Sequence, residues 1–296
     1  MSLTTLTPLE AVTRLSPLVI RVLGCNPGLM TLQGTNTYVI GNGTKRILID
    51  TGERDKPDYL KLLSGVIQSN NIRGFDHIII THWHHDHIGG LENVVDIIEP
   101  GFTVWKYPTK EDSDNDTCEH VAIKIESLSD GQKLTTAGAT LRVIHAPGHT
   151  TDHICLYLEE ESTLFSGDSI LGEGSTTFET LYDYMKSLHK LLAYNAQKIF
   201  PAHGPVIENP TAKITEYIEH RNLRESQILT VLHSQNYEPI EPSEIVKKLY
   251  NDTPALLLPA AERNVLHHLE KLNTEGKVEV TDGKWNLIRD VDQSKI

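Results

Sequence analysis

Long hydrophobic runs are missing from this sequence, and none approaches the roughly 18 apolar residues that a membrane-spanning helix needs. The three cysteines, Cys25, Cys118 and Cys155, are widely spaced and odd in number, which argues against a disulfide framework or a cysteine metal site and predicts a reducing compartment. Positive charge is scarce as well. The net charge of −13 argues against a broad electrostatic contact with nucleic acid, although a local one stays open. Arg14 and Arg21 are too few early positive charges to indicate a transit peptide by themselves.

Histidine, in contrast, is concentrated in one short segment that follows the apolar run Ile78–Ile80. This segment reads His-x-His-x-Asp-His. In an extended chain His82 and His84 point the same way and can reach one metal ion, whereas Asp86 and His87, past a bend, can face a second. Nitrogen and oxygen ligands of this kind suit zinc, and a site with an open position is catalytic. By the same alternation His85 points away, and Trp83 is expected to pack in the core.

Three further candidate ligands lie later in the chain, each just beyond a strand-like run and next to a glycine. These residues are His149, Asp168 and His203. Glycine lets the backbone bend tightly, so that a side chain can enter a crowded site. Because one loop cannot complete two coordination shells, we expect these residues to supply the remaining ligands.

The order of these residues resembles the metallo-beta-lactamase superfamily over roughly residues 15–210, and the early strand-like segments Gly34–Ile40 and Ile47–Gly52 extend the resemblance. It implies an α/β protein, a four-layer αββα sandwich with two zinc ions at one edge. The first ion would be held by His82, His84 and His149. The second would be held by Asp86, His87 and His203. Asp168 would bridge both ions.

Asp50 resembles the aspartate that orients the ligand loop in this superfamily without binding metal. A second interpretation, that it caps the turn before Gly52, is compatible with the first. The name-giving lactamases commonly have cysteine at the place of Asp168 and lack the complete Asp-His ending of the first loop. The pattern found here is shared by glyoxalase-II-type thioesterases and by nucleases, which argues against antibiotic hydrolysis.

The character of the sequence changes from strand and loop to helix after Pro210. Periodicity predicts helices over 215–234, with Leu223 in the apolar stripe, and over 241–250 and 260–272. Two short strands around Asp282-Gly283 then form a predicted hairpin. Helices followed by a β-hairpin are typical of a winged helix. We therefore predict a catalytic domain over 1–210 and a linker helix with a winged-helix-like domain over 211–296.

The segment Tyr217–Leu229, with Phe165–Gly172 and the C-terminal domain, resembles the beta-lactamase-like protein 2 family, now over almost the whole chain. This resemblance implies a zinc-dependent endoribonuclease that cuts single-stranded RNA in the mitochondrial matrix, with the cytoplasm as the alternative location. In the linker helix, His220, Arg221 and Arg224 either bind phosphate at the mouth of the active site or fix the small domain onto the large one by ion pairs. Both interpretations stay open.

The predicted chemistry starts from a water that two zinc ions ionise near neutral pH and that Asp86 aims at the substrate. His153 is a candidate general acid for the leaving oxygen, or else a buried histidine that supports the ligands. The alternative function is a thioesterase or glyoxalase-II-like hydrolase, because metal ligands alone cannot separate a phosphate from a carbonyl substrate. The nearly neutral third helix of the small domain predicts a wall that admits a flexible single strand, so we expect no duplex DNA partner. The lack of long apolar runs predicts no membrane partner.

Overall fold

The computed structural model describes residues 6–108, 123–251 and 253–288, so Cys118 lies outside the described residues. The strands of the first sheet follow one another in space as they do in the chain. They are β1 (Val12–Arg14), β2 (Val19–Leu23), β3 (Asn36–Ile40), β4 (Lys45–Ile49), β5 (Gly74–Ile80), β6 (Thr103–Lys106) and β7 (Ile125–Ser127). Strands β1 to β4 pair antiparallel and β4 to β7 pair parallel.

Helices cover the outer face of this sheet. They are α1 (Pro57–Ser69), α2 (His85–Ile88) and α3 (Leu91–Val95). Helix α1 provides the crossover that the parallel pair β4 and β5 requires. The apolar runs of both strands are buried on both faces, which is why they are continuous in sequence and do not alternate.

The second sheet has the order β12, β11, β10, β9, β8. Its strands are β8 (Lys133–Thr136), β9 (Ala139–His145), β10 (Ile154–Leu158), β11 (Thr163–Gly167) and β12 (Lys198–Pro201). Only β11 and β12 are parallel, and α4 (Leu181–Leu192) lies between them in the chain. The inner faces of the two sheets share one core, in which Ile49 and Ile79 of the first sheet pack with Val143, Leu156 and Phe165 of the second. Together with the outer helices this confirms the predicted αββα sandwich.

The C-terminal part is a small helical domain that ends in a hairpin. Its elements are α5 (Pro210–Ser234), α6 (Pro242–Leu249), α7 (Leu258–Thr274), β13 (Val278–Thr281) and β14 (Lys284–Leu287). Asp282 and Gly283 both have positive φ, as the two-residue turn of such a hairpin requires. A separate core that includes Ile228, Val265 and Trp285 holds these elements together. The predicted winged-helix-like domain is confirmed.

Helix α5 belongs to both parts of the molecule. It begins at Pro210, five residues before the predicted start, because Asn209 accepts a hydrogen bond from the Ala212 N–H and proline suits the first turn. Its first turns pack Tyr217 against the large domain, and its last turns enter the core of the small one. Helix α5 therefore crosses the domain boundary that was predicted after residue 210. The boundary itself stays a prediction.

One residue of the predicted apolar stripe of α5 is misplaced. Leu223 is 60% exposed, whereas Arg221 is buried. The inward positions follow 3–4 spacing from Tyr217 through Arg221 to Ile228, and Leu223 lies on the opposite face of the helix. Among the described residues, no helix is both long and apolar enough to cross a membrane.

Candidate metal centre

The candidate centre lies where strands of both sheets end. Strand β5 ends at Ile80 and leads into the histidine segment, while β11 and β12 end just before Asp168 and His203. The loop between β9 and β10 carries His149. A hydrogen bond from the Asn36 N–H to the Ala202 carbonyl joins the two sheets at this edge. The seven predicted ligands, scattered over 122 positions of the chain (82 to 203), are thus brought to one place.

The first group of ligands is formed by imidazole nitrogens that converge. His84 Nδ1 lies 2.9 Å from His82 Nε2 and 3.1 Å from His149 Nε2. Each of these three nitrogens has a lone pair. A single proton shared by two of them leaves the third lone pair without a partner, so a cation shared by all three fits the arrangement better. The His149 Nδ1–H donates to the Thr177 carbonyl at 2.8 Å, which leaves the Nε2 lone pair directed at the centre.

The second group consists of one carboxylate and two histidines. Asp86 Oδ2 lies 3.2 Å from His87 Nε2 and 3.2 Å from His203 Nε2. His87 Nε2 is buried without a hydrogen-bond partner among the described residues, as expected for a nitrogen kept for a metal. Thr35 Oγ1 donates to Asp86 at 2.9 Å and fixes its orientation.

Asp168 lies between the two groups, and each of its oxygens faces one of them. Oδ2 is 3.5 Å from His149 Nε2 and 4.0 Å from His82 Nε2. Oδ1 is 3.2 Å from His203 Nε2 and 3.6 Å from His87 Nε2. This is the arrangement of a bridging ligand. The donor set of imidazole nitrogens and carboxylate oxygens is one that fits zinc, so the cluster could bind metal at both groups.

The electrostatics of the centre favour a cation. Burial alone would raise the pKa of Asp168, but His203 and His87 outweigh it and hold the pKa well below its usual value. Burial, with His87 beside it, lowers the pKa of His82 well below the usual value. The ionised bridging carboxylate and the neutral His82 are in the protonation state that metal binding requires. Burial would lower the pKa of His87 and His203, but Asp168 outweighs it and raises that of His203 to about 9, so a metal ion would replace protons on these two residues.

Asp50 holds residues of the metal centre by hydrogen bonds and does not belong to either ligand group. Its carboxylate accepts from the Thr81 N–H at 2.8 Å and from Thr81 Oγ1 at 2.9 Å, and its Oδ2 lies 2.8 Å from His87 Nδ1. The contact orients His87 so that Nε2 faces Asp86 and Asp168. The backbone of Asp50 has φ 59°, so it also forms the turn before Gly52. Both interpretations of this residue agree with the structure, and Thr81 is a contributor that the sequence analysis missed.

The structure does not support His153 as a general acid. Its side chain is fully buried, and burial lowers its pKa well below the usual value. Nε2 accepts a hydrogen bond from the Asp168 N–H at 3.0 Å, and Nδ1 lies 3.2 Å from Ser169 Oγ. Both nitrogens are therefore engaged inside the protein, and no face of the ring reaches a substrate. His153 instead holds the backbone of the bridging ligand, the second of the two predicted interpretations.

The expectation that Trp83 packs in the core is wrong. Its side chain is 43% exposed, because the chain leaves the sheet after Ile80 and turns into α2 at His85, so strand alternation no longer applies. The Trp83 ring meets His84 edge-on, with ring centroids 4.4 Å apart. His85 is exposed and points away from the centre, as predicted.

The basic residues of the linker helix are not among the described residues that line the cavity beside the metal centre, although Arg221 lies behind the lining residue Phe178. Arg221 is buried, donates to Ser175 Oγ at 2.6 Å and to His220 Nδ1 at 2.9 Å, and stacks on Tyr217. Arg224 stacks on Tyr250 of the small domain at 4.3 Å. We therefore correct the phosphate-binding interpretation: these residues hold the linker helix in place. They do so by hydrogen bonds and aromatic contacts, since the described residues provide no ion pair to either arginine.

A cavity of about 700 Å³ opens beside the first group of ligands and is lined by His84 and His149. Its floor is the segment 176–179, and its far wall is the first half of α7. The polar α7 side chains that line it are Arg263, Asn264 and His267, beside the apolar Pro259 and Ala260. The sequence analysis missed them, because helical periodicity marks them as ordinary surface residues and carries no information about which surface they face.

Known proteins agree with this picture. Residues 30–203 match the Metallo-beta-lactamase superfamily, and residues 242–285 match the Beta-lactamase associated winged helix domain. A beta-lactamase domain protein from Burkholderia ambifaria has the same fold, with a TM-score of 0.76 at 17% identity, and the similarity covers 97% of this chain and 96% of that one.

Relatives share the sequence over most of its length. A Beta-lactamase-like protein 2 homolog of Drosophila melanogaster is 50% identical over 92% of this chain and 94% of its own length. An atrochrysone carboxyl ACP thioesterase of Cryptosporiopsis is 42% identical over 77% of this chain and 67% of its own. These matches, together with the seven candidate ligands in one centre, identify the chain's family. It belongs to the metallo-beta-lactamase superfamily of hydrolases and is similar in sequence to the proteins named beta-lactamase-like protein 2.

Proposed function

We propose that this protein is a zinc-dependent endoribonuclease that hydrolyses phosphodiester bonds of single-stranded RNA. The observation that carries the proposal is the position of Asp168, whose two oxygens face two separate ligand groups. Each ligand group would hold one metal ion, and a pair of ions would supply the chemistry by which two-metal sites hydrolyse phosphate esters.

The residues around the centre have separate tasks in this proposal. Two bound zinc ions would lower the pKa of a water and offset the charge that develops on a phosphate. Asp86, held by Thr35, would accept a hydrogen bond from that water and aim it. Asp168 keeps the two ligand groups in register, and Asp50 and His153 hold the ligands from behind. None of these steps uses the 2′-hydroxyl of the RNA.

Kinship supports the RNA substrate. The sequence resembles the beta-lactamase-like protein 2 family, and this resemblance implies endoribonuclease activity. The Drosophila relative that carries the family name is 50% identical to this chain. The same resemblance underlies the proposed location in the mitochondrial matrix. The net charge of −13 argues against a broad contact with RNA and favours the small-substrate alternative, but two zinc ions would leave the centre locally positive and able to attract a phosphate.

A thioesterase is the second candidate. It is favoured by the 42% identity to the Cryptosporiopsis thioesterase and by the apolar rim of the cavity, where Met30 is 68% and Leu256 is 89% exposed. An acyl chain could lie against such a rim, and the same activated water could attack a carbonyl carbon.

The two candidates are separated by offering both substrates to the same preparation. We expect the zinc-loaded protein to cut a labelled single-stranded RNA, to lose this activity on chelation, and to regain it when zinc is restored. Asp168→Ala, which removes the shared ligand, is expected to lower zinc content and abolish cleavage. Rapid hydrolysis of an acyl-glutathione or acyl carrier thioester with no RNA cleavage would replace the nuclease by the thioesterase.

A further inference from the structure

We propose that Arg263 of α7 binds an RNA phosphate next to the scissile one, so that the winged-helix-like domain completes the substrate site. This inference rests on the proposed nuclease function and adds to it a binding residue from the other domain. The wall predicted from the sequence assigned this surface of the small domain no role in binding the substrate.

The cavity puts Arg263 opposite the metal ligands. His84 and His149 line one side of it, and Arg263, Asn264 and His267 line the other. A volume of about 700 Å³ is within the range of roughly 300–1,000 Å³ typical of ligand sites. In the proposed complex, a strand whose scissile phosphate lies at the metal centre extends through this cavity along α7.

The charge of Arg263 is available for a ligand. Its side chain is exposed, and no carboxylate among the described residues forms an ion pair with it. The carboxylate of Glu179 also lines the cavity, but it already accepts a hydrogen bond from the Thr151 N–H at 3.1 Å. Arg263 is the one arginine or lysine among the described residues that line the cavity, and its positive charge offsets the carboxylate of Glu179 there. A guanidinium binds phosphate with two parallel hydrogen bonds, which a lysine cannot do.

The remaining walls suit the base that accompanies a phosphate. Phe178 lies on the floor, with its ring 5.3 Å from that of His267, and Met30 and Leu256 form the exposed apolar rim. Aromatic and apolar side chains beside a cation are the combination that binds single strands without reading their sequence. In a duplex the bases are paired and stacked inside the helix and cannot reach such a surface.

The test compares steady-state kinetics of the zinc-loaded wild type, Arg263→Ala and Arg263→Lys on one single-stranded RNA at several salt concentrations. Lys247→Ala is the matched control, because it removes one positive charge from an exposed position of the same domain outside the cavity. We expect Arg263→Ala to raise KM about tenfold, the effect of one charge-assisted contact, with kcat within about threefold of wild type.

The salt dependence identifies the contact as one to phosphate. Removing one phosphate contact to a single strand lowers the slope of log KM against log salt by about 0.7. Arg263→Lys should restore this slope but only part of the affinity, and Lys247→Ala should match wild type in both. Zinc content should be equal in all four proteins.

An unchanged KM and slope in Arg263→Ala, in a preparation whose wild type cuts RNA, would overturn this inference and leave the nuclease intact. A fall in kcat with unchanged KM would overturn it as well, because a residue that binds a neighbouring phosphate acts on binding. Failure of the wild type to cut RNA at all would instead remove the proposed function.

Discussion

Individual residues of the centre were largely predictable, because metal ligands must be of a few residue types and follow strand ends. Alternation placed His82 and His84 in one group, strand ends beside a glycine indicated His149, Asp168 and His203, and the resemblance assigned these three to the two ions. Trp83 was predicted wrongly, because alternation was continued past the point where the chain leaves the sheet. The buried position of His153 could not be read from sequence, since it depends on the Asp168 backbone meeting the ring.

The contact between the Asp168 backbone and the His153 ring requires a glycine at position 167. Gly167 has φ 50°, and a Cβ added there would lie 2.5 Å from His153 Nε2. Only glycine allows the backbone to turn so close to the imidazole and present the Asp168 N–H to it. The glycine before Asp168 in the sequence is therefore a requirement of the supporting hydrogen bond.

Asp50 provides the prediction at this scale. Asp50→Asn keeps the shape of the side chain but turns one of its oxygens into an NH₂ group, so the side chain can no longer accept all three hydrogen bonds, two from Thr81 and one from His87. We expect zinc affinity to fall about 10–100-fold, the usual effect of losing a group that orients a metal ligand. Competition with a fluorescent chelator measures this. Asp58→Asn, at an exposed position of α1, should bind zinc as wild type does, and normal affinity of Asp50→Asn would refute the orienting role.

At the scale of elements, the strands were found from their apolar runs, and their ends from the turn residues that follow. Helix positions were less well predicted, because the inward face of α5 serves two cores and puts Arg221 where an apolar residue was expected. One contact that holds the two sheets together at the site edge, between Lys106 and Asp152, was not predictable. These residues are 46 positions apart in sequence and belong to no motif.

Lys106, at the end of β6, forms a buried ion pair with Asp152 of the His149 loop, with Nζ and Oδ2 3.2 Å apart. Lys106→Met would leave the Asp152 carboxylate buried without its charge partner, which costs about 3–5 kcal/mol. We expect this loss in the free energy of unfolding measured by urea titration. Adding Asp152→Asn should recover part of it, because the uncompensated charge is removed.

The exposed pair of Lys133 and Glu159 is the matched control for this measurement. Lys133→Met should change the free energy of unfolding by no more than about 1 kcal/mol, as exposed ion pairs do. If Lys106→Met were equally mild, the buried pair would not be what fixes the His149 loop against the first sheet.

At the scale of the whole molecule, the sequence identified two domains but not how they face each other. The position of α7 depends on its packing against α4 and on the linker helix, which are contacts between distant parts of the chain. That packing places a wall and a cation beside the metal centre. We therefore predict that the substrate approaches the metal centre along this cavity, and that a flexible single strand is cut whereas a duplex is not.

The end groups of the products test the central claim most directly. A labelled RNA is incubated with the zinc-loaded protein as a single strand and annealed to its complement, with and without chelator. Attack by an activated water predicts 5′-phosphate and 3′-hydroxyl ends from the single strand, no cleavage of the duplex, and no cleavage after chelation. Ends with a 2′,3′-cyclic phosphate that persist in chelator would contradict the account, because they require attack by the RNA's own 2′-hydroxyl and no metal centre.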